Sequence, residues 1–306
     1  MAWNPSYRAP SAADLHDEDA HQPPGPDAPL EAWGAKDLVV RDGVVVGCSL
    51  SGRAFLSLKR CELSEVRLVA VQPFMAELAR CPHLAKLHRL DLSGSRIGIA
   101  GAKSLAESRL LGSLKELVLS RNNLNHEGLE LVSRAEWFPN LDVLEVADNG
   151  LTVLPLAASR QLQSLDLSKN PLSPEIRLPD GLRRLAFSHC SLGPTVATLA
   201  ASGCFKSLSE LDLSFNDIED SGVEALAAAG PFPSLVALDL TSNRITARGA
   251  ALLAKSLAFE SVQTLELSVN PLGNIGPLAH VLSVSLGNLR HLELDNCGLH
   301  QEAPIA

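Results

Sequence analysis

The sequence has few aromatic residues and a deficit of basic ones. Phe, Trp and Tyr make up 4% of its 306 residues, and 26 Lys and Arg stand against 35 Asp and Glu, giving a formal net charge of −9. Nucleic acids and anionic membranes attract basic surfaces, so an acidic chain is a poor candidate for binding either. We expect no nucleic acid and no membrane among its partners, and a protein with a basic surface would suit it better.

The short motifs that carry catalysis and metal binding are also missing. None of the nine His stands with a Ser, Cys or carboxylate in a recognisable catalytic signature, and there is no phosphate-binding loop, HExxH or CxxC pair. The sequence therefore predicts no enzyme activity, no cofactor and no metal.

Long hydrophobic runs are absent too. The N-terminus has no basic start followed by an apolar stretch, and no segment reaches the roughly 18–20 consecutive apolar residues of a membrane helix. The six Cys form no short-spaced cluster, which favours free thiols in a reducing compartment. Together these features predict a cytoplasmic protein.

The first 62 residues differ from the rest of the chain. Residues 1–36 hold six Pro and many acids but few residues that would form a core, which predicts a disordered tail. Residues 37–62 contain β-branched runs with turn residues at Asp42-Gly43 and Ser51-Gly52. We expect this segment to be an N-terminal β cap of strands joined by turns.

Residues 63–306 repeat one pattern, with apolar residues at relative positions 1, 4, 6 and 11 and Asn or Cys at position 9. Ten units share this frame, and they begin at Leu63, Leu87, Leu114, Leu141, Leu162, Leu182, Leu208, Leu235, Val262 and Leu289. Apolar residues at positions 4 and 6 point to one side of a short strand. Parallel stacking would bury that side, and the Asn at position 9 would bond the backbone of neighbouring loops.

The best copies, such as LKELVLSRNNL from Leu114 and LQSLDLSKNPL from Leu162, resemble the leucine-rich-repeat family, whose LxxLxLxxNxL motif they match. The resemblance implies an α/β solenoid, curved like a horseshoe, with parallel strands on its concave face. On its convex face it implies helices and short extended segments.

The array contains two kinds of unit. Most units have 26–28 residues, with a Gly six residues after position 9 and a helix-forming run behind it, and these resemble the ribonuclease-inhibitor subclass. The units from Leu141 and Leu162 have only 21 and 20 residues and Pro in their returns, so a helix is not expected there. They resemble short bacterial repeats, which suggests a bacterial protein.

Positions 3, 5 and 7 of each unit face outward on the concave side. Position 5 is acidic in seven of ten units: Asp91, Glu145, Asp166, Asp212, Asp239, Glu266 and Glu293. We name these residues the acidic stripe. Like charges on neighbouring strands would repel until a basic partner neutralised them. The LDLS motif is also common in the family, so the stripe is either a binding site or a family consensus.

A basic layer interrupts the stripe. Arg184 and His189 belong to the unit from Leu182, together with Arg183, and Phe215 stands at position 8 of the next unit. Arg and aromatic side chains supply much of the energy in protein interfaces. A second candidate surface adds Arg121, Asp148, Lys169 and Trp137, although Trp137 would serve equally well to pack a helix against the core.

These features predict a non-catalytic protein–protein interaction module that binds its partner on the concave face. The alternative is a regulator of an enzyme, either an inhibitor or a small-GTPase activator that presents Arg96, Arg121 or Arg244 from a loop. Only seven residues follow Leu299, so an uncovered last strand would also allow self-association through the C-terminal edge.

Overall fold

A computed structural model describes residues 30–41, 44–58, 61–156, 159, 161–173, 175–273 and 287–298. Three predictions lie outside these residues: most of the N-terminal tail, the Asp42-Gly43 turn, and the chain end after Leu299.

One sheet runs through the described part of the chain, with its strands in chain order. They are β1 (Lys36–Arg41), β2 (Val44–Ser51), β3 (Glu65–Val69), β4 (Arg89–Asp91), β5 (Glu116–Val118), β6 (Val143–Glu145), β7 (Ser164–Asp166), β8 (Arg184–Ala186), β9 (Glu210–Asp212), β10 (Ala237–Asp239), β11 (Thr264–Glu266) and β12 (His291–Glu293). β1 pairs antiparallel with β2, and every later pair is parallel. The predicted α/β solenoid is confirmed.

The strands bury one side, as the alternation at positions 4 and 6 predicts. In β9, Leu211 is buried while Glu210 and Asp212 are half-buried on the other side. In the next unit, Leu238 and Leu240 stack over Leu211 and Leu213 as part of one continuous core. Because each layer covers the apolar side of its neighbours, no single unit has a core of its own.

The N-terminal segment departs from the expected run of strands. Ser51-Gly52 does not join two strands, because Ser51 is instead the N-cap of helix α1 (Gly52–Ser57) and its side chain accepts a hydrogen bond from the Ala54 amide. A Ser before a short apolar run suits a helix start as well as a turn. β2 pairs in parallel with β3, so the parallel array begins upstream of the unit from Leu63.

The other helices are α2 (Met75–Leu78), α3 (Gly98–Ala106), α4 (Asn125–Ser133), α5 (Thr195–Ala201), α6 (Glu219–Ala229) and α7 (Ala247–Lys255), with single 3-10 turns at Leu30–Trp33, Gln72–Phe74, Pro82–Lys86, Phe138–Asn140 and Leu257–Phe259. Neighbouring helices pack together, as α3 does with α4 and α6 with α7. The described residues between β6 and β8 contain no helix, which confirms the prediction for the two short units.

A glycine in the first turns of each long helix permits this packing. A Cβ on Gly222 would lie closer to Ile218 Cγ2 than real Cβ atoms lie to any neighbour, and 3.0 Å from Val196 Cγ1 on α5. The recurring Gly is therefore explained by the close approach of the helix to the turn before it and to the adjacent helix.

The Asn residues at position 9 connect neighbouring units by hydrogen bonds. The Oδ1 atom of Asn149 accepts from the backbone amides of Asn122 (3.0 Å) and Leu124 (3.2 Å) in the preceding unit. Its Nδ2 group donates to the carbonyls of Leu119 (2.9 Å) and Val146 (3.0 Å). One buried side chain thus satisfies backbone groups in two units where the chain leaves the strand.

This asparagine ladder is interrupted by cysteine. Six Asn take part: Asn122, Asn149, Asn170, Asn216, Asn243 and Asn270. Cys190 and Cys297 occupy position 9 in their units, and their thiols donate to the carbonyls of Leu167 (3.4 Å) and Leu267 (3.2 Å). A thiol is a poor acceptor for backbone amides, so the ladder consists of two runs of three Asn separated at Cys190.

We expect Asn216→Ala to lower the free energy of unfolding by at least about 3 kcal/mol, because it removes the partners of several buried groups, each costing about 1–3 kcal/mol. Those groups are the amides of Cys190 and Leu192 and the carbonyls of Phe187 and Leu213. Urea denaturation followed by circular dichroism measures the change.

The matched control is Asn140→Ala, which removes an exposed hydrogen bond from Asn140 Nδ2 to the Gly112 carbonyl. It should cost less than about 1 kcal/mol, because water replaces that bond. Equal losses for the two variants would contradict the structural role of the ladder.

Candidate functional site

The outward side chains of the strands line a concave groove with a volume of about 1120 Å³. Eight of the ten predicted site residues contribute to its walls: Asp91, Glu145, Asp166, His189, Asp212, Phe215, Asp239 and Glu266. The other two, Arg184 and Glu293, lie on the same sheet face beside it. The Nε atom of Arg184 donates to Ser164 Oγ (3.4 Å), and Glu293 contacts His291 (2.9 Å).

Each Asp of the stripe has a local structural role. In Asp91, Asp166, Asp212 and Asp239, the Oδ1 atom accepts a hydrogen bond of 2.8–2.9 Å from the amide two residues later. This bond satisfies the backbone as the strand ends, which gives a physical reason for the LDLS consensus. The second oxygen of each carboxylate remains for other contacts.

Partial burial makes these carboxylates hard to ionise. Burial raises the pKa of Asp166, Asp212 and Asp239, against the opposing hydrogen bonds from position 7. Asp239 and Asp166 add repulsion at Asp212, and Asp239 shares a hydrogen bond with Glu266. A cation entering the groove would relieve this repulsion.

The N-terminal half of the groove contains its own cations. Arg67 Nε lies 3.8 Å from Asp91, and Arg89 Nη1 lies 2.6 Å from Glu116. Burial raises the pKa of Glu145 to about 7, although the attraction of Arg89 opposes the shift. Arg89 is a residue that the sequence analysis missed. Reading position 3 beside position 5 would have revealed it, because both columns face the groove.

The C-terminal half is different. Asp212, Asp239 and Glu266 are register partners on neighbouring strands. Within the described residues, no Lys or Arg nitrogen forms an ion pair within 4.0 Å of these three carboxylates. Among the described residues, the acidic stripe thus has Arg67 and Arg89 beside its N-terminal part and no paired Lys or Arg at Asp212, Asp239 and Glu266.

The rim beside this half carries an aromatic pair. The rings of His189 and Phe215 are stacked, with centroids 4.1 Å apart and an interplanar angle of 15°. The ring of His189 is held by Ser188 Oγ at 2.8 Å from Nδ1, and Ser214 Oγ donates to Ser188 Oγ (2.9 Å). Burial and nearby Lys169 lower the pKa of His189, so its ring is neutral at neutral pH.

The structure does not place all residues of the second candidate surface on the outside of the molecule. Arg121, Asp148 and Lys169 are exposed at position 8, in the same row as His189 and Phe215. Trp137, however, is only 3% exposed and packs beside Phe138 with ring centroids 6.3 Å apart. Trp137 therefore belongs to the core. Its neighbour Phe138 starts the turn that leads the chain back to the sheet.

Other candidate features give no further site. Arg96, Arg121 and Arg244 are exposed on loops, and Arg244 Nε is paired with Asp217 (2.9 Å). Among the described residues, no group of three or more His, Cys, Asp or Glu is arranged to hold a metal ion. In the same residues, no helix has the length and apolar character needed to cross a membrane.

Comparison with known proteins identifies the repeats. The family model described as "Leucine Rich repeat" matches residues 83–106, 113–133, 206–227 and 233–254. A second leucine-rich-repeat model matches residues 161–185. These parts of the chain are leucine-rich repeats.

Three known proteins are similar to parts of this chain. The human NACHT, LRR and PYD domains-containing protein 5 is 29% identical over 160 residues, which are 45% of this chain and 13% of that protein. The crystal structure of a TLR13–ssRNA13 complex covers 82% of this chain and 36% of the TLR13 chain, with a TM-score of 0.54 and 22% identity. The match to an internalin (inlF) from Listeria monocytogenes covers 82% of this chain and 80% of the internalin chain, with a TM-score of 0.43 and 17% identity.

We expect Glu145→Gln to change how stability depends on pH. The unfolded carboxyl ionises near its usual pKa of about 4.3, whereas the folded one ionises at about 7. The unfolded chain therefore loses this proton first, so the wild-type free energy of unfolding should fall as pH rises between these values. The variant should gain about 3 kcal/mol relative to wild type from about pH 4 to about pH 8, because one pKa unit corresponds to about 1.4 kcal/mol.

Urea denaturation of both proteins at each pH measures this difference. Glu127→Gln, on the exposed surface of α4, serves as the control and should follow the wild-type profile. Parallel profiles for wild type and Glu145→Gln would contradict the burial of Glu145.

Proposed function

We propose that this chain is a protein-binding module that holds a partner with a basic surface on its concave face. The observation that carries the proposal is the cation-free end of the acidic stripe, where Asp212, Asp239 and Glu266 lie side by side on adjacent strands. These carboxylates are costly to bury together unless a cation accompanies them.

A protein partner is favoured over a small ligand by the shape of the site. The groove is open and extends from β1 to β11 along the sheet, whereas small-molecule sites are enclosed and mainly apolar. The acidic face also disfavours a nucleic acid or an anionic membrane, whose phosphates would be repelled. Complementary charge would guide a basic protein to this face and fix its orientation.

Three finer assignments belong to this proposal: the repeat subclass, the origin of the protein and its location in the cell. The helices behind the longer units support a ribonuclease-inhibitor-like repeat, and the helix-free units support a bacterial origin. The six Cys are unbonded, which supports a reducing, cytoplasmic location. The partner would be an enzyme if the module acts as an inhibitor, and no feature of the site singles out catalysis by the chain itself.

The test is a combined charge reversal, Asp212→Lys with Asp239→Lys and Glu266→Lys. Proteins retained by the immobilised wild-type chain from an extract of its own cells are identified by mass spectrometry, and their affinities are then measured with purified proteins. We expect basic partners, and we expect the reversal to weaken their binding at least about tenfold, because close charge pairs at interfaces contribute several kcal/mol.

The control carries the same change of net charge on exposed sites away from the groove: Glu107→Lys with Glu127→Lys and Glu136→Lys. It should bind like the wild type, which separates a site effect from an overall charge effect. Equal binding by the wild type and the groove reversal, or a wild-type chain that retains no basic protein, would contradict the proposal.

A further inference from the structure

The His189–Phe215 pair is an unusual feature for a surface turn. Phe215 is 43% exposed, and both residues have positive φ, 56° for His189 and 57° for Phe215. Asn and Gly adopt this conformation at a lower cost, and a Phe gains little from burial at this position. The fold therefore gives no reason for an aromatic residue here, whereas an interface does.

A gap in the acidic stripe lies next to this pair. Ala186 is the register partner of Asp166 on one side and of Asp212 on the other. Ala186 is half-buried and places only a methyl group between the two carboxylates. Because neighbouring strands are about 4.8 Å apart, the two Asp backbones are separated by about 10 Å. The hydroxyls of Ser188 and Ser214 connect this gap to the His189 ring.

A similar break in the acidic stripe lies at Val118, and there an arginine of the chain acts on one of the flanking carboxylates. Val118 lies between Asp91 and Glu145 in the register of the sheet. Arg89 stands on the strand of Asp91, and its positive charge acts on Glu145. At the Ala186 gap, the charge that acts on Asp166 is that of Lys169, which is exposed on the rim at position 8 and not on the strand. The described residues place no Lys or Arg nitrogen within 4.0 Å of Asp166 or Asp212.

We propose that the Ala186 gap and the His189–Phe215 pair together dock a partner segment that carries an arginine and a nearby apolar or aromatic side chain. The arginine enters between Asp166 and Asp212, and the second side chain packs on the ring of Phe215. This inference rests on the proposed function, since it assigns the part of the partner that the concave face recognises.

An arginine suits the gap better than a lysine. A guanidinium donates from opposite edges, so two charge-assisted hydrogen bonds of about 2.8 Å reach a carboxylate on each side. An ammonium is compact and would satisfy one carboxylate at a time. Positions 5 and 8 lie about 10 Å apart along the strand direction. Because side chains of an extended segment alternate between its two faces, the two partner side chains are about two or four residues apart.

The experiment selects peptides from a phage library of random short sequences on three immobilised proteins. These are the wild type, Ala186→Lys, which places an ammonium in the gap, and Phe215→Ala. We expect the wild type to enrich an arginine with an apolar or aromatic residue nearby. Ala186→Lys should abolish the arginine preference, whereas Phe215→Ala should keep the arginine and lose the apolar preference.

Ala228→Lys is the control with the same change of charge, because Ala228 is exposed on α6, away from the groove. It should select the same peptides as the wild type. Thermal denaturation checks that the variants fold, and Ala186→Lys should unfold at a temperature no lower than the wild type. For a peptide chosen from the wild-type selection, replacing the arginine by lysine should weaken binding about tenfold, because one carboxylate loses its partner.

The outcomes separate the two proposals. If the wild type selects basic peptides that the groove reversal loses but Ala186→Lys keeps, the docking site is wrong and the proposed function stands. If lysine replaces arginine without loss of affinity, the guanidinium assignment is wrong. If the wild type selects no basic peptides, both the docking site and the basic partner are contradicted.

Discussion

The asparagine ladder is the interaction on which the rest of the structure depends. Each strand from β4 to β12 is three residues long, so each of these units must turn sharply and bury the backbone of that turn. Asn149 and its equivalents supply the missing donors and acceptors in two units at once. In the turn after each strand, the residue at position 8, just before the Asn or Cys, has a positive φ. This holds in every unit from that of Arg121 to that of Val269. The ladder therefore sets both the strand spacing and the direction of the rim side chains.

Because the units are regularly spaced, a residue that departs from the type usual at its position changes the concave face locally. An alanine among carboxylates makes a gap at Ala186, and a phenylalanine among polar turn residues makes the stacked pair with His189. Both features lie beside Cys190, where the ladder changes from one run of Asn to the next. The chain thus concentrates its irregularities in one place, between the helix-free units and the helix-backed ones that follow, while the core beneath stays continuous.

Sequence patterns predicted the fold well, because burial at positions 4 and 6 repeats in every unit and each copy supports the others. They were less reliable where the signal is single: Ser51 was read as a turn residue and is a helix cap, and for Trp137 the sequence left surface and core open where the structure shows the core. The sequence showed the acidic stripe as a row of carboxylates at position 5. It did not show that Arg67 and Arg89 lie beside only the N-terminal part of the stripe. Whether Arg89 reaches Glu116 depends on the register of two side chains across strands, which position 5 alone does not reveal.

The central claim is that the partner docks on the concave face where, among the described residues, no Lys or Arg pairs with the acidic stripe. A crystal structure of the chain with the tightest-binding partner segment tests it most directly. We expect the segment to lie across β7 to β11, with a basic side chain on Asp166 or Asp212 and an apolar one on Phe215. A segment bound to the convex helices, or to the half that contains Arg67 and Arg89, would contradict it.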